Sequence, residues 1–284
     1  MTTPSSIRLV TRTAFAFIFR VALATFLNSP ILIIMETKTY IKENWLTKIP
    51  KRDGLNPTLF LMCLLLFTSF IYINNLFNAP LWMSANGNQV FAQGEWWRAW
   101  TTLFAHGDLS HILGNLFLFF PFSYYLIAYF GYTFFPFFGF FVGGLVNLAV
   151  LQTMPDHVGL IGVSGVVNWM GGAWLALAWL IDRRESNGRR VLKVVAVTIV
   201  LFVPDSFKPE VSYLSHFLGY FAGAFSGIAY YYLFKKKIKS AEVIEVVHED
   251  DYVWGSDFEF INEDYREDYP RDHQISNSPC HQKG

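Results

Sequence analysis

The sequence predicts an all-α membrane protein, a bundle of six transmembrane helices with an interfacial loop between the first and second spans. Three observations carry that prediction. Hydrophobic residues make up 53% of the 284-residue chain and aromatic residues 18%, more than a soluble domain of this length shows. Six apolar runs recur, at 57–76, 109–128, 133–153, 165–181, 191–203 and 214–234. Basic clusters flank them in a pattern that an even number of crossings places on one side.

A helix needs about 20 apolar residues to cross a bilayer, and shorter ones suffice where a bundle is tilted or the bilayer thinned. The fifth run is the shortest because Pro204 stops it. Before the first run, 1–54 reads as a cytoplasmic or interfacial segment. Its stretch 14–35 is apolar but is interrupted by Arg20 and Pro30, and no small-residue cleavage site follows it. A seventh span there would send Arg8 and Arg12 outside, so an interfacial helix is expected, with Met35 as an alternative translation start. The connection 77–107 is too long for a plain turn and too polar to span. Trp82, Trp96, Trp97 and Trp100 give it interfacial character, since indole rings settle at headgroup level. The six-span core covers 55–235. Beyond it, 236–284 is acidic, with isolated aromatics in no helical or strand period from Ser240 onward, and is expected to be a disordered cytoplasmic tail.

Orientation follows from lysine and arginine. Lys42, Lys48, Lys51 and Arg52 precede the first run; Arg183, Arg184, Arg189 and Arg190 lie between the fourth and fifth; Lys235, Lys236, Lys237 and Lys239 follow the sixth. With six spans all three clusters fall on the cytoplasmic side, as do both termini. The formal net charge of zero conceals this segregation and gives no basis for a nucleic-acid partner. Cys63 and Cys280 match no metal-ligand spacing and suggest no disulfide framework, and H-E-x-x-H is missing, so neither a metal nor another cofactor is expected.

Polar side chains inside spans are costly and mark function by default. Ser164 opens the fourth run within Gly162-Val163-Ser164-Gly165, His216 lies near the start of the sixth, and His111 with Asn115 opens the second. On the predicted topology all four share one depth at the outer side. His111 and Asn115 are four apart and share a helix face, as do His216, Gly219 and Gly223. The glycines of that stripe let its helix approach a neighbour closely. Gly162 and Gly165 leave the serine's backbone N–H approachable at the positive end of a helix dipole. Such a set fits one reaction: a hydroxyl nucleophile, an imidazole base and donors for an oxyanion. Each piece has a plainer reading. A lone G-x-S-G arises often by chance, a histidine can serve packing alone, and His111 with Asn115 can be a structural pair. The combination is what points to catalysis. His106, five before His111, suits a structural hydrogen bond at the mouth of the site.

In order along the chain, Trp97-Arg98, the H-x4-H-x3-N pattern from His106 to Asn115, G-x-S-G at 162–165, and His216-x2-Gly219-x3-Gly223 resemble the rhomboid family of intramembrane serine proteases. The resemblance implies Ser164 as nucleophile, His216 as base and acid in a dyad, and His111, Asn115 and the Ser164 N–H as the oxyanion hole. It places Trp97 and Arg98 in the interfacial loop. It also implies a water-filled cavity open to the outside, the lipid bilayer as surroundings, and single-pass membrane proteins as substrates, cut near the outer end of their helix. A bacterial inner membrane, with the site open to the periplasm, suits the compact six-span form. The alternative is a non-catalytic rhomboid-like protein that binds transmembrane clients. Four residues after the nucleophile many members carry an aromatic ring packed on the catalytic histidine; here Asn168 stands instead, and its amide is positioned to hydrogen-bond His216.

Overall fold

The computed structural model describes residues 37–50, 52–156, 158–203 and 212–248. The expected interfacial helix before Met35 and the acidic tail beyond 248 lie outside the described residues. Thr39–Glu245 form one unit, and it holds every side-chain contact discussed below.

The chain enters as a strand, Thr37–Glu43 (β1), and then forms α1 (Leu55–Ile73). The Asp53 carboxylate accepts the Leu55 backbone N–H at 2.8 Å and so fixes the start of α1. This helix is inside-out by the standards of a soluble protein. Its buried residues are Thr58, Leu65 and Ser69, while Phe60, Phe67 and Phe70 are more than half exposed. That is the pattern expected of a helix whose solvent is lipid, where polar groups turn inward to find partners. Thr58 duly meets Ser123 at 2.9 Å.

The connection that follows folds into short pieces: a 3-10 turn, α2 (Ala79–Met83), a π-helical turn at Asn88–Ala92, α3 (Arg98–Thr101) and a second 3-10 turn. Then comes α4 (Leu109–Phe130), ended by Gly131, whose N–H returns to the Ile127 and Leu126 carbonyls at 2.9 and 3.2 Å with φ at +87°. A π-helical turn at Thr133–Phe138 leads into α5 (Gly139–Leu151), and α6 (Ser164–Ile181), α7 (Asn187–Phe202) and α8 (Tyr213–Lys239) complete the bundle.

Leu55–Ile73, Leu109–Phe130, Thr133–Leu151 and Ser164–Ile181 are long and apolar enough to cross a membrane. α7 falls short in length at 16 residues, and α8 dilutes its apolar surface with Ser, His and five-fold Tyr. The core is dominated by aromatics between α4, α5 and α6, with Trp169, Phe119 and Phe135 fully buried. The most extensive helix contact is that of α6 with α8.

Two expectations are corrected. Among the described residues the chain is not wholly helical, because β1 pairs with a second strand, Val243–His248 (β2). Residues 236–248, expected to belong to a disordered tail, form helix and strand instead: α8 runs on to Lys239, and the β-branched residues of Val-Ile-Glu-Val-Val favour an extended partner for β1. The Tyr40 hydroxyl donates to Glu245 at 2.6 Å across this pair, and Lys42 lies 3.3 Å from the same carboxylate.

Basic residues gather at one end of the bundle. Asn44 donates to Asp182 after α6 at 2.8 Å, and Arg183 reaches Glu242 after α8 at 2.6 Å. The segments before α1, after α6 and after α8 thus meet.

Candidate active site

At the opposite end of α6 the chain makes a turn that glycine adopts readily and other residues do not. Gly162 has φ at +114°, and Ser164 is the first residue of the helix that follows. The loop before it is held from several sides by the connection between α1 and α4. Leu160 exchanges backbone hydrogen bonds with Ala85, donating at 2.7 Å and accepting at 3.3 Å. The Thr102 hydroxyl donates to the Leu160 carbonyl, and the Thr102 carbonyl accepts the Gly162 N–H at 3.0 Å. The Val163 N–H donates to His106 Nε2 at 3.2 Å.

That last bond determines the state of His106. An Nε2 that accepts carries no proton, so the proton sits on Nδ1 and is donated to Ser69 Oγ at 2.9 Å. Burial, and next the neighbouring His111, push the His106 pKa down to about 3, which keeps the ring neutral. His106 is therefore a strut between α1 and the serine loop.

On α4, the Asp108 carboxylate accepts the His111 N–H at 2.8 Å as the helix cap. The His111 ring meets the His106 ring edge-on, 5.1 Å between centroids. A Cβ at Gly162 would lie 3.2 Å from the His111 imidazole, so both the positive φ and this approach call for glycine. Asn115, one turn on, is buried and donates to the His111 carbonyl at 3.1 Å.

From α8 comes His216, 6% exposed. The stripe beneath it brings backbones into contact: a Cβ at Gly219 would lie 2.3 Å from the Gly165 carbonyl oxygen, and one at Gly223 2.0 Å from that of Trp169. Gly165 answers from α6, where a Cβ would meet Ser215 Oγ at 2.6 Å.

Ser164, His216 and Asn115 line a single small cavity of about 20 Å³, together with Asn168, Leu201 and Phe202. That is room for about one water molecule. Asn168 faces the cavity, but its amide donates to the Ser164 carbonyl at 2.9 Å, one turn back on its own helix. Trp97 and Arg98 lie apart from the cavity. Trp97 is about half exposed, whereas buried Arg98 ties the connection together, donating to the Leu81 and Ser84 carbonyls at 2.7 and 3.0 Å and pairing with Glu95.

Sequence reasoning passed over Thr102, Ser69 and Asp108. Asp108, directly before an apolar run, is a readable helix cap. Thr102 and Ser69 act across 58 and 37 residues of chain, and no local pattern announces such contacts.

The model of the family described as Rhomboid domain matches residues 93–233, an interval that holds the serine loop, His106, His111, His216 and Asn115. A search of curated proteins finds no match.

Proposed function

We propose that this chain, which belongs to the rhomboid family, is an intramembrane serine endopeptidase that cuts single-pass membrane proteins near the outer end of their transmembrane helix. The observation that carries the reading is that Ser164, His216 and Asn115, drawn from three helices, line one water-sized cavity.

In this mechanism neutral His216 takes the Ser164 hydroxyl proton as Oγ attacks the scissile carbonyl, then returns it to the leaving amine. A water molecule hydrolyses the resulting ester by the same proton transfers in turn. Negative charge on the carbonyl oxygen is met by His111, Asn115 and the Ser164 N–H. Backbone N–H groups in a helix's first turn lack intrahelical acceptors, and the α6 dipole adds positive potential there. Substrate helices must unwind locally to offer a carbonyl, so glycine or proline near the bond favours cutting.

The protein is an integral membrane protein. Its six long helices are proposed as six spans forming the protease core over 55–235. Both termini are then cytoplasmic, and the site opens to the periplasmic face of a bacterial inner membrane.

The test is incubation of the purified full chain with a panel of single-pass membrane helices, cuts being mapped by mass spectrometry. Ser164→Ala and His216→Ala should each abolish cutting while leaving gel-filtration behaviour unchanged. Near wild-type cutting by either variant overturns the dyad, and a panel that is bound but never cut favours the client-binding alternative.

A further inference from the structure

At the basic end of the bundle lies a cavity of about 540 Å³, far larger than the one at Ser164 and of the size that holds a small organic ligand. Its walls come from three places: the segment before α1 (Trp45, Lys48, Ile49, Arg52), the last turn of α4 (Tyr129) and the last turn of α8 (Lys237). The hydrogen bond from Asn44 to Asp182 puts it near the C-terminal end of α6. Ser164 begins that 18-residue helix, so the two sites are about 27 Å apart along its axis.

Three cations face this space without counter-charge. Among the described residues no carboxylate lines the cavity, and none of the ion pairs involves Lys48, Arg52 or Lys237. The nearby acids are engaged elsewhere: Glu242 by Arg183 at 2.6 Å and Asp182 by Arg184 at 2.7 Å. Lys237 instead rests over the Trp45 ring, 5.7 Å from its centroid. The walls are also set in advance. The Tyr129 hydroxyl donates to the Leu46 and Lys48 carbonyls at 3.0 and 3.2 Å, and Trp45 Nε1 donates to the Tyr129 carbonyl at 3.3 Å.

We propose that this cavity binds the headgroup of an anionic glycerophospholipid. Location selects a lipid over a soluble anion. The cavity sits where α1 begins and α4 and α8 end, which in a membrane-embedded bundle is headgroup level. Trp45 and Tyr129 are the residues that favour that level. Ile49, 92% exposed beside the cations, offers an apolar edge to acyl chains rather than to water. A phosphodiester between Lys48, Arg52 and Lys237 supplies the missing negative charge, as basic pockets between membrane helices do for acidic lipids.

The experiment is native mass spectrometry of the full-length chain in detergent with equal phosphatidylglycerol and phosphatidylcholine. One phosphatidylglycerol should be retained in preference. Combined Lys48→Gln, Arg52→Gln and Lys237→Gln should weaken its retention by about a hundredfold, at roughly fivefold per cation. Combined Lys235→Gln, Lys236→Gln and Lys239→Gln removes equal charge from residues that do not line the cavity and should cost less than about threefold. Equal loss in both variants reduces the site to a diffuse basic surface and overturns the proposal, as does equal retention of the two lipids. Displacement of the lipid by millimolar inorganic phosphate makes it a small-anion site and overturns it too. Should the triple variant lose its monodisperse elution, the three single Gln variants serve instead, and unchanged retention in all of them is the refuting result.

Discussion

Gly219→Ala tests whether the seam between α6 and α8 sets the distance between Ser164 and His216, the proposed nucleophile and base. The added methyl would stand 2.3 Å from the Gly165 carbonyl oxygen, where ordinary contact begins at 3.4 Å, so the pair must open by about 1.1 Å. The obstacle is backbone on both sides, which no side-chain rotation relieves. Overpacking of this kind costs about 1–3 kcal/mol. Its effect on the site is geometric: Gly165 adjoins Ser164, and Gly219 is one turn from His216. A misplacement of about 1 Å between reacting groups lowers rate by about a hundredfold. The expected result is a folded protein with lower Tm, read by tryptophan fluorescence in detergent, and kcat/KM reduced about 10²-fold on a transmembrane substrate. Gly188→Ala is the control, because nothing lies within 4 Å of its Cβ, and it should leave Tm and rate unchanged. If Gly219→Ala keeps wild-type rate and Tm, the glycine seam does not position the dyad and the reasoning fails.

Three further outcomes follow from the site. His111→Ala and Asn115→Ala should each lower kcat by about 10²-fold with little change in KM, since their donors act on the developing oxyanion; a rise in KM at constant kcat would make them substrate contacts instead. His106 has a folded pKa near 3 against 6.5 for a free imidazole, so the unfolded chain binds the extra proton and stability falls as pH drops from 6.5 toward 3, by at most about 1.4 kcal/mol per unit. His106→Gln should flatten that slope in pH-dependent melting, and an unchanged slope would mean that the ring is not buried neutral. Because the Asn168 amide is engaged by the Ser164 carbonyl, Asn168→Ala should reduce stability by about 1 kcal/mol and leave the acid limb of the pH–rate profile in place; a displaced limb would show that the amide reaches His216.

Much of the fold was legible because lipid imposes a simple rule on sequence. Runs at 109–128, 133–153 and 165–181 became Leu109–Phe130, Thr133–Leu151 and Ser164–Ile181, since the length of an apolar stretch is set by what it must cross. The ends drifted where local capping outweighs hydropathy. Asp53 starts α1 two residues before the apolar run, and Asn74 with left-handed Asn75 stops it three residues short. α8 continues through Lys235 to Lys239 because charge does not break a helix; only the reading of apolar length ends there. The strand Val243–His248 was hidden in an acidic stretch, as a short β-branched run has no meaning until β1 lies beside it.

The residues proposed to carry the chemistry stand out in the sequence for a related reason: Ser164, His216, His111 and Asn115 are expensive in apolar segments, and cost makes them visible. Their positioning was not. A serine loop with φ at +114° at Gly162 gains nothing from its own sequence that would keep it open, so its shape is imposed by Ala85, Thr102 and His106, all from the connection before α4. This changes what that connection is for. Its tryptophans advertise an interfacial segment, yet its buried side chains, Arg98 on the Leu81 and Ser84 carbonyls and His106 between Ser69 and Val163, form a frame that passes from α1 to the Ser164 loop. Substitutions within the frame should therefore act through the position of Ser164, and their kinetic signature should resemble that of Gly219→Ala more than that of His216→Ala.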